Sequence, residues 1–180
     1  MKQQTTFTKL KKPIPFVNTG RLIIKPLTRR DKNFIFKLLN TEGWIRFIGN
    51  RNIISQKDAS NYIQKILANP NVRYWVVEKK TGQSLGIITY IKREYLPHHD
   101  IGFAFLPEFA GNGYAYEATK AVLNELINED NMTYVFATTI PDNVNSIKLL
   151  GKLGLILEKE IEVDGEKLLL YGSSADTLDV

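Results

Sequence analysis

The chain has no cysteine among its 180 residues. That excludes a disulfide framework, a thiolate metal site and a cysteine nucleophile, and it fits a reducing compartment, with the cytoplasm as the expected location. Histidine is scarce too: His98 and His99 are neighbours, and neighbours on an extended segment point to opposite faces, so no shared metal is expected. No uninterrupted apolar run reaches membrane-spanning length, and the opening "MKQQTTFTKLKKPIPFVNTG" has Lys2, Lys9, Lys11 and Lys12 without a signal-peptide core. A soluble chain with no membrane partner is therefore expected. Three motifs are also missing. GxxxxGK[ST] occurs nowhere, the dinucleotide pattern GxGxxG fails at its third glycine position, which is Tyr116, and the esterase elbow GxSxG is absent.

What is present suits one domain. With 43% hydrophobic and 24% charged residues the chain is long enough to bury one sizeable core and too short for two ordinary ones. Its net charge of +5 suits an anionic partner without separating nucleic acid from a phosphorylated cofactor.

Periodicity gives an element order of strand, two helices, three strands, helix, strand, helix and two strands. "RLIIKPL" alternates as a strand, and "TRRDKNFIFKLLN" places Phe34, Ile35, Leu38 and Leu39 at helical spacing. "SQKDASNYIQKIL" opens with Ser55 and Asp58, an acidic relative of the capping box, ahead of a stripe of Ile63, Ile66 and Leu67. "YWVVEK", "LGIITYIK" and "DIGFAF" read as an antiparallel meander, its first turn at Thr81-Gly82. A helix reaching about Asn128, the strand "YVFATTI", the helix "NSIKLLGKL" stopped by Gly154, and a hairpin turning at Asp164-Gly165 complete the order.

The stretch "FLPEFAGNGYAYEATKAVL" sets Gly111 and Gly113 in front of the long helix. The amides of Gly111, Asn112, Gly113, Tyr114 and Ala115 fall at the start of that helix, where unpaired N–H groups and the helix dipole favour an anion such as a pyrophosphate. Two spaced glycines alone equally describe a tight loop.

"DIGFAFLPEF", "AGNGYAYEA" and "TTIPDNVNSIKLLGKLGL", in that order and preceded by "GRLIIKPLTRRD", closely resemble the GCN5-related N-acetyltransferase (GNAT) family, in particular the branch that acetylates ribosomal-protein N-termini. The resemblance implies an α/β (α+β) fold: a mixed, mostly antiparallel central sheet with flanking helices and a splayed strand pair. It covers about residues 18–172, with a basic arm at 1–17 and a tail at 173–180. It implies acetyl-CoA as cosubstrate, gripped by a loop pattern Gln/Arg-x-x-Gly-x-Gly/Ala that falls here on Ala110, Gly113 and Ala115; Ala110 departs from the first position. The resemblance assigns the pantetheine-pairing edge to Phe103, Ala104 and Phe105, opposed by "FATTI". The family's Asn-x-x-Ser falls on Asn143 and Ser146. Asn143 also reads as an N-cap and Ser146 as a small helix-entry residue. Many members protonate the departing thiolate with a tyrosine, but that place is Leu150 here, so Ser146 is the candidate partner of the sulfur.

Amine attack on a thioester needs a proton acceptor. Asp100 is the first candidate and Glu78, on an earlier strand, the second, although Asp100 also reads as a solvent-facing strand end. A backbone N–H near Phe105 would meet the developing oxyanion. Trp44, Phe47 and Tyr62 are candidates to wall the amine pocket, and Lys120 and Lys148 to approach the phosphates. Glu117 is explained by favourable interaction with the helix dipole. The expected activity is acetyl transfer to a primary amine, either a protein N-terminus, such as that of a ribosomal protein, or a small molecule, in a monomer or homodimer. The alternative is an inactive acyl-CoA-binding module that touches ribosome or RNA through the basic arm; otherwise no nucleic-acid partner is expected.

Overall fold

The structure, a computed structural model, describes residues 13–180. Lys2, Lys9, Lys11 and Lys12 lie outside the described residues. Alternating and continuous apolar runs build eight strands: β1 (Val17–Asn18), β2 (Leu22–Pro26), β3 (Val72–Lys79), β4 (Ser84–Lys92), β5 (His99–Phe105), β6 (Tyr134–Thr139), β7 (Ile156–Val163) and β8 (Glu166–Ser174). They form one sheet in the order β1-β2-β3-β4-β5-β6-β8-β7. Every neighbouring pair is antiparallel except β5 with β6, which run parallel. Helices α1 (Lys32–Leu39), α2 (Glu42–Phe47) and α3 (Gln56–Ala68) follow β2, α4 (Tyr114–Asp130) follows β5, and α5 (Val144–Lys152) follows β6. This is the mixed, mostly antiparallel α/β architecture that the sequence predicts.

Four consecutive buried residues in β3, Tyr74 to Val77, show why both faces of the sheet are covered. Trp75 and Val77 point into the core shared with α4 and α5, whereas Tyr74 and Val76 point into the core shared with α1, α2 and α3. Side chains alternate across the pleat, so a strand packed on both sides reads as a continuous apolar run.

Three helices, not two, precede the sheet's central strands. The extra one, α2, starts where the Thr41 hydroxyl accepts from the Trp44 N–H at 3.3 Å, and it buries Trp44. Gly43 hides it from pattern reading by interrupting a six-residue helix. The stripe of α3 is also displaced. Ala59, Ile63 and Ile66 are buried while Leu67 is exposed, and the N-cap bond from the Asp58 N–H to the Ser55 hydroxyl is present at 3.2 Å. His98 lies exposed in the bend before β5, and His99 opens β5 and stacks on Tyr90 with ring centroids 4.3 Å apart. Residues beyond 172 pack back on the body: the Ser173 hydroxyl donates to the Gly154 carbonyl at 3.0 Å, and the Asp179 N–H to the Leu153 carbonyl at 3.1 Å.

Among the described residues no helix is long and apolar enough to cross a membrane.

Candidate active site

The register between β5 and β6 pairs Asp100 with Phe136 and, among the described residues, goes no further. Beyond that apex the two strands part, although β5 stays paired to β4 as far as Phe105 against Gly86. The Leu106 N–H donates to the Leu85 carbonyl at 2.8 Å, which fixes the alternation of the antiparallel ladder. Ala104 and Gly102 turn their backbone groups to β4, Ile101 turns its own to β6 at the apex, and Phe103 and Phe105 turn theirs toward the gap. The predicted splay is thus a sheet edge with free donors and acceptors on β5. It opens into a cleft of about 1020 Å³ that is also lined by residues of α2, α4, α5 and the β7–β8 turn.

At the far end of β5 the chain makes a short 3₁₀ turn, Pro107–Phe109, and enters the glycine loop. Gly111 and Gly113 have φ of +75° and +74°, a region that L side chains enter only under strain. A β-carbon on Gly111 would meet nothing within 4 Å, so the backbone there is open to an approaching group. Gly113 caps α4 without any side-chain hydrogen bond. The helix's first bond runs from the Glu117 N–H to the Gly113 carbonyl at 3.0 Å, which leaves the preceding first-turn amides without helical partners. Ala110, Gly111, Gly113, Tyr114 and Ala115 line the cleft. Asn112 does not: its side-chain Nδ2 donates to the Ala110 carbonyl at 3.0 Å and its backbone carbonyl accepts from Arg21. An open loop of positive-φ glycines at the start of a 17-residue helix that no side chain caps suits an anion such as a pyrophosphate, and the free edge of β5 suits an extended group that carries amides.

On the opposite wall Asn143 does cap α5, accepting from the Ser146 N–H at 3.2 Å, and both residues line the cleft. Lys148 lines it too, whereas Lys120 faces Asp179 at 3.5 Å. Trp44 and Phe47 are lining residues; Tyr62 is not, and its hydroxyl lies 3.4 Å from that of Tyr74.

The two carboxylates singled out from the sequence occupy different settings. Glu78 is not among the lining residues. It is held by Lys25 at 2.7 Å and by the Ser84 hydroxyl at 3.1 Å. Asp100 does line the cleft, at the apex, and is buried, not solvent-facing. One oxygen, Oδ2, accepts from Arg93 Nε at 2.9 Å and from the Thr138 hydroxyl at 3.1 Å. Burial pushes its carboxyl above the ordinary value, and Arg93 and Thr138 pull the other way. The Arg93 guanidinium stays protonated: burial lowers its affinity for the proton, but Asp100 outweighs that.

Pattern reading passes over the rest of this apex. The Tyr95 phenol is raised above its ordinary value, chiefly by burial, with Asp100 and Asp164 adding to the shift and Arg93 and a hydrogen bond with Thr138 opposing it. Asp164, on the β7–β8 turn, and Glu166, the first residue of β8, join Asp100 as the carboxylates lining the cleft. Asp164 at φ +53° and Gly165 at φ +80° carry the expected turn signal, which conceals that the turn also lines a site.

Known proteins share this fold. The chain is 25% identical over 141 residues to the uncharacterized N-acetyltransferase YnaD of Bacillus subtilis (strain 168), covering 77% of this chain and 81% of that one. Its fold superposes on a ribosomal-protein-S5-alanine acetyltransferase from Vibrio fischeri with a TM-score of 0.77 at 18% identity, covering 93% of this chain and 100% of that one. It superposes likewise on a spermidine N-acetyltransferase from Vibrio cholerae, solved in complex with CoA and spermine, with a TM-score of 0.76 at 17% identity, covering 88% and 98%. The family model described as an acetyltransferase (GNAT) domain matches residues 21–156, and the chain therefore belongs to the GNAT acetyltransferase family.

Proposed function

We propose that the chain moves an acetyl group from acetyl-CoA to a primary amine by direct attack while both are bound. The observation that carries this reading is the opening between β5 and β6, which sets a free strand edge next to the open glycine loop. Acetyl-CoA supplies a thioester, whose carbonyl is the electrophile. Gly111, Gly113, Tyr114 and Ala115 hold its phosphates through backbone amides, and Phe103 and Phe105 hold the extended arm through edge hydrogen bonds, with Ala104 between them. The Phe105 N–H faces the gap and donates to negative charge developing on the carbonyl oxygen. Ser146, on the facing helix, donates a hydroxyl hydrogen bond to the departing sulfur, and the thiolate takes its proton from water.

The arrangement favours a different division of labour for the carboxylates. Asp100 is buried as the ion-pair partner of Arg93, with Oδ2 accepting from Arg93 and Thr138, so we assign it to positioning the apex and not to accepting a proton. Asp164, exposed on the β7–β8 turn and close enough to perturb Tyr95, accepts the proton of the incoming ammonium directly or through water. The identity of the amine is read by the loops around α2 and by Tyr95. Spermidine and peptides with a free N-terminus are the first acceptors to try, following the neighbours.

Free thiol released from acetyl-CoA on adding an amine is the measurement. Thiol release with an acetylated product, seen with one amine class and not the other, supports the reading; tight acetyl-CoA binding without transfer to any amine points to the inactive binding module.

A further inference from the structure

Outside the residues that line the cleft, one side chain engages three residues at and just beyond the glycine loop. Arg21 follows β1 in the turn before β2 and is 96 residues from Glu117 in sequence. Its Nη1 donates to the Asn112 carbonyl at 3.0 Å, its guanidinium lies 4.6 Å from the centre of the Tyr114 ring, and its Nη2 is 3.6 Å from where a β-carbon of Gly113 would stand. Its Nε and Nη2 each meet Oε2 of Glu117 at 2.6 Å. The other oxygen of Glu117 accepts from the Arg21 N–H at 3.2 Å and from the Thr19 hydroxyl at 2.5 Å.

We propose that Arg21 is a positioning residue for acetyl-CoA, orienting the loop's amides toward the cleft and cancelling the carboxylate of Glu117 beside the phosphate site. The inference rests on the acetyl-CoA reading above. Its first half follows from peptide geometry. The described residues contain no cis peptide, and across a planar trans bond the C=O and the next N–H point in opposite directions. Pulling the Asn112 carbonyl toward Arg21 therefore turns the Gly113 N–H away from Arg21, and Gly113 lines the cleft.

The second half follows from charge. A carboxylate in the first turn of α4 is attracted by the same positive helix end that would hold a phosphate, so an uncompensated Glu117 would compete with the ligand. Four donor groups, three on Arg21 and one on Thr19, prevent this. Burial alone would raise the Glu117 carboxyl, but Thr19 and Arg21 outweigh it and hold it below its ordinary value. Lys79, 5.8 Å from the Tyr114 ring, adds positive charge at the loop and cannot take over the two-pronged grip on Asn112 and Glu117.

Calorimetric titration with acetyl-CoA of the full chain and of Arg21→Gln, Glu117→Gln and the double variant tests this, with S-acetylpantetheine, which lacks the pyrophosphate, as a second probe and thermal melting as the control for folding. Arg21→Gln is expected to weaken acetyl-CoA about tenfold, a charged hydrogen bond discounted for its half-exposed setting, and to leave S-acetylpantetheine within about twofold. Adding Glu117→Gln should recover part of the loss, and Glu117→Gln alone should bind within about twofold of the parent or more tightly. If Arg21→Gln melts below the assay temperature, Arg21→Lys carries the same comparison, with a smaller loss. Unchanged acetyl-CoA affinity in the arginine variant, equal weakening of both probes, or no recovery in the double variant overturns the proposal. A parent protein that does not bind acetyl-CoA overturns the acetyl-CoA reading itself, a result distinct from those three.

Discussion

The Thr138 hydroxyl on β6 donates to Asp100 on β5 at 3.1 Å, beside the point where the two strands last touch. Together with Arg93 it ties off the apex of the splay, so the gap opens from a fixed point. Asparagine can still accept both hydrogen bonds, but alanine strands the guanidinium and the hydroxyl. Asp100→Ala should therefore lose about 1–3 kcal/mol in denaturant unfolding, with Arg93 partly exposed and so less penalised than a fully buried charge. Asp100→Asn should keep turnover within about fivefold of the parent if Asp100 is not the proton acceptor. A collapse of turnover in a normally melting asparagine variant would restore it as the base.

Gly113 separates strain from charge. Its φ of +74° means that Gly113→Ala costs about 1 kcal/mol in backbone strain and should weaken acetyl-CoA only several-fold. Gly113→Glu adds a carboxylate where the phosphates belong and should abolish calorimetric binding. Undiminished affinity in the glutamate variant would place the ligand elsewhere.

Ser146 and Asp164 act at the departing sulfur and the incoming amine. Ser146→Ala should lower kcat by roughly 10- to 100-fold with little change in the KM for acetyl-CoA, as expected on removing a hydrogen-bond donor to the charge developing on sulfur. Asp164→Asn should instead lower kcat/KM for the amine, by about tenfold, and leave acetyl-CoA affinity alone. Steady-state kinetics with each substrate varied in turn tells the two apart; an unaffected Asp164→Asn leaves proton removal to bulk water.

Glu117 predicts a specific acid sensitivity. Its carboxyl is held below the ordinary value of 4.5, since Thr19 and Arg21 outweigh the opposing effect of burial. A carboxyl depressed in the folded state contributes stability that is fully present above its ordinary range and is lost as pH falls through the folded value. Melting of the parent and of Glu117→Gln should differ at neutral pH and converge as the pH falls from about 5 through the folded value. A constant offset across that range would mean that the carboxylate's charge does not matter.

Much of this molecule was readable without coordinates because it rests on local pattern. The strand runs, the helix after Gly113, the stop at Gly154 and the Asp164-Gly165 turn all follow from residue types within a few positions of one another. The failures came where partners are far apart or a signal was interrupted. Gly43 hid α2. Asp100 read as a strand end because Thr138, which helps bury its charge, is 38 residues on. Glu117 read as a dipole effect because Thr19 and Arg21 are 98 and 96 residues earlier. Glu78 was an acid on the right sort of strand, but Lys25 and Ser84 engage it outside the cleft.

The sequence by itself determined most of the elements, α2 excepted, their order and the glycine loop, since hydrophobic period, caps and positive-φ glycines act over one or two turns of chain. Only the tertiary structure decided where β5 leaves β6, which acids are buried, paired or open, and which arginine braces the loop. Those outcomes depend on distances between segments up to 98 residues apart, and the free energy of a charge is set by what folding brings beside it, not by its neighbours in sequence.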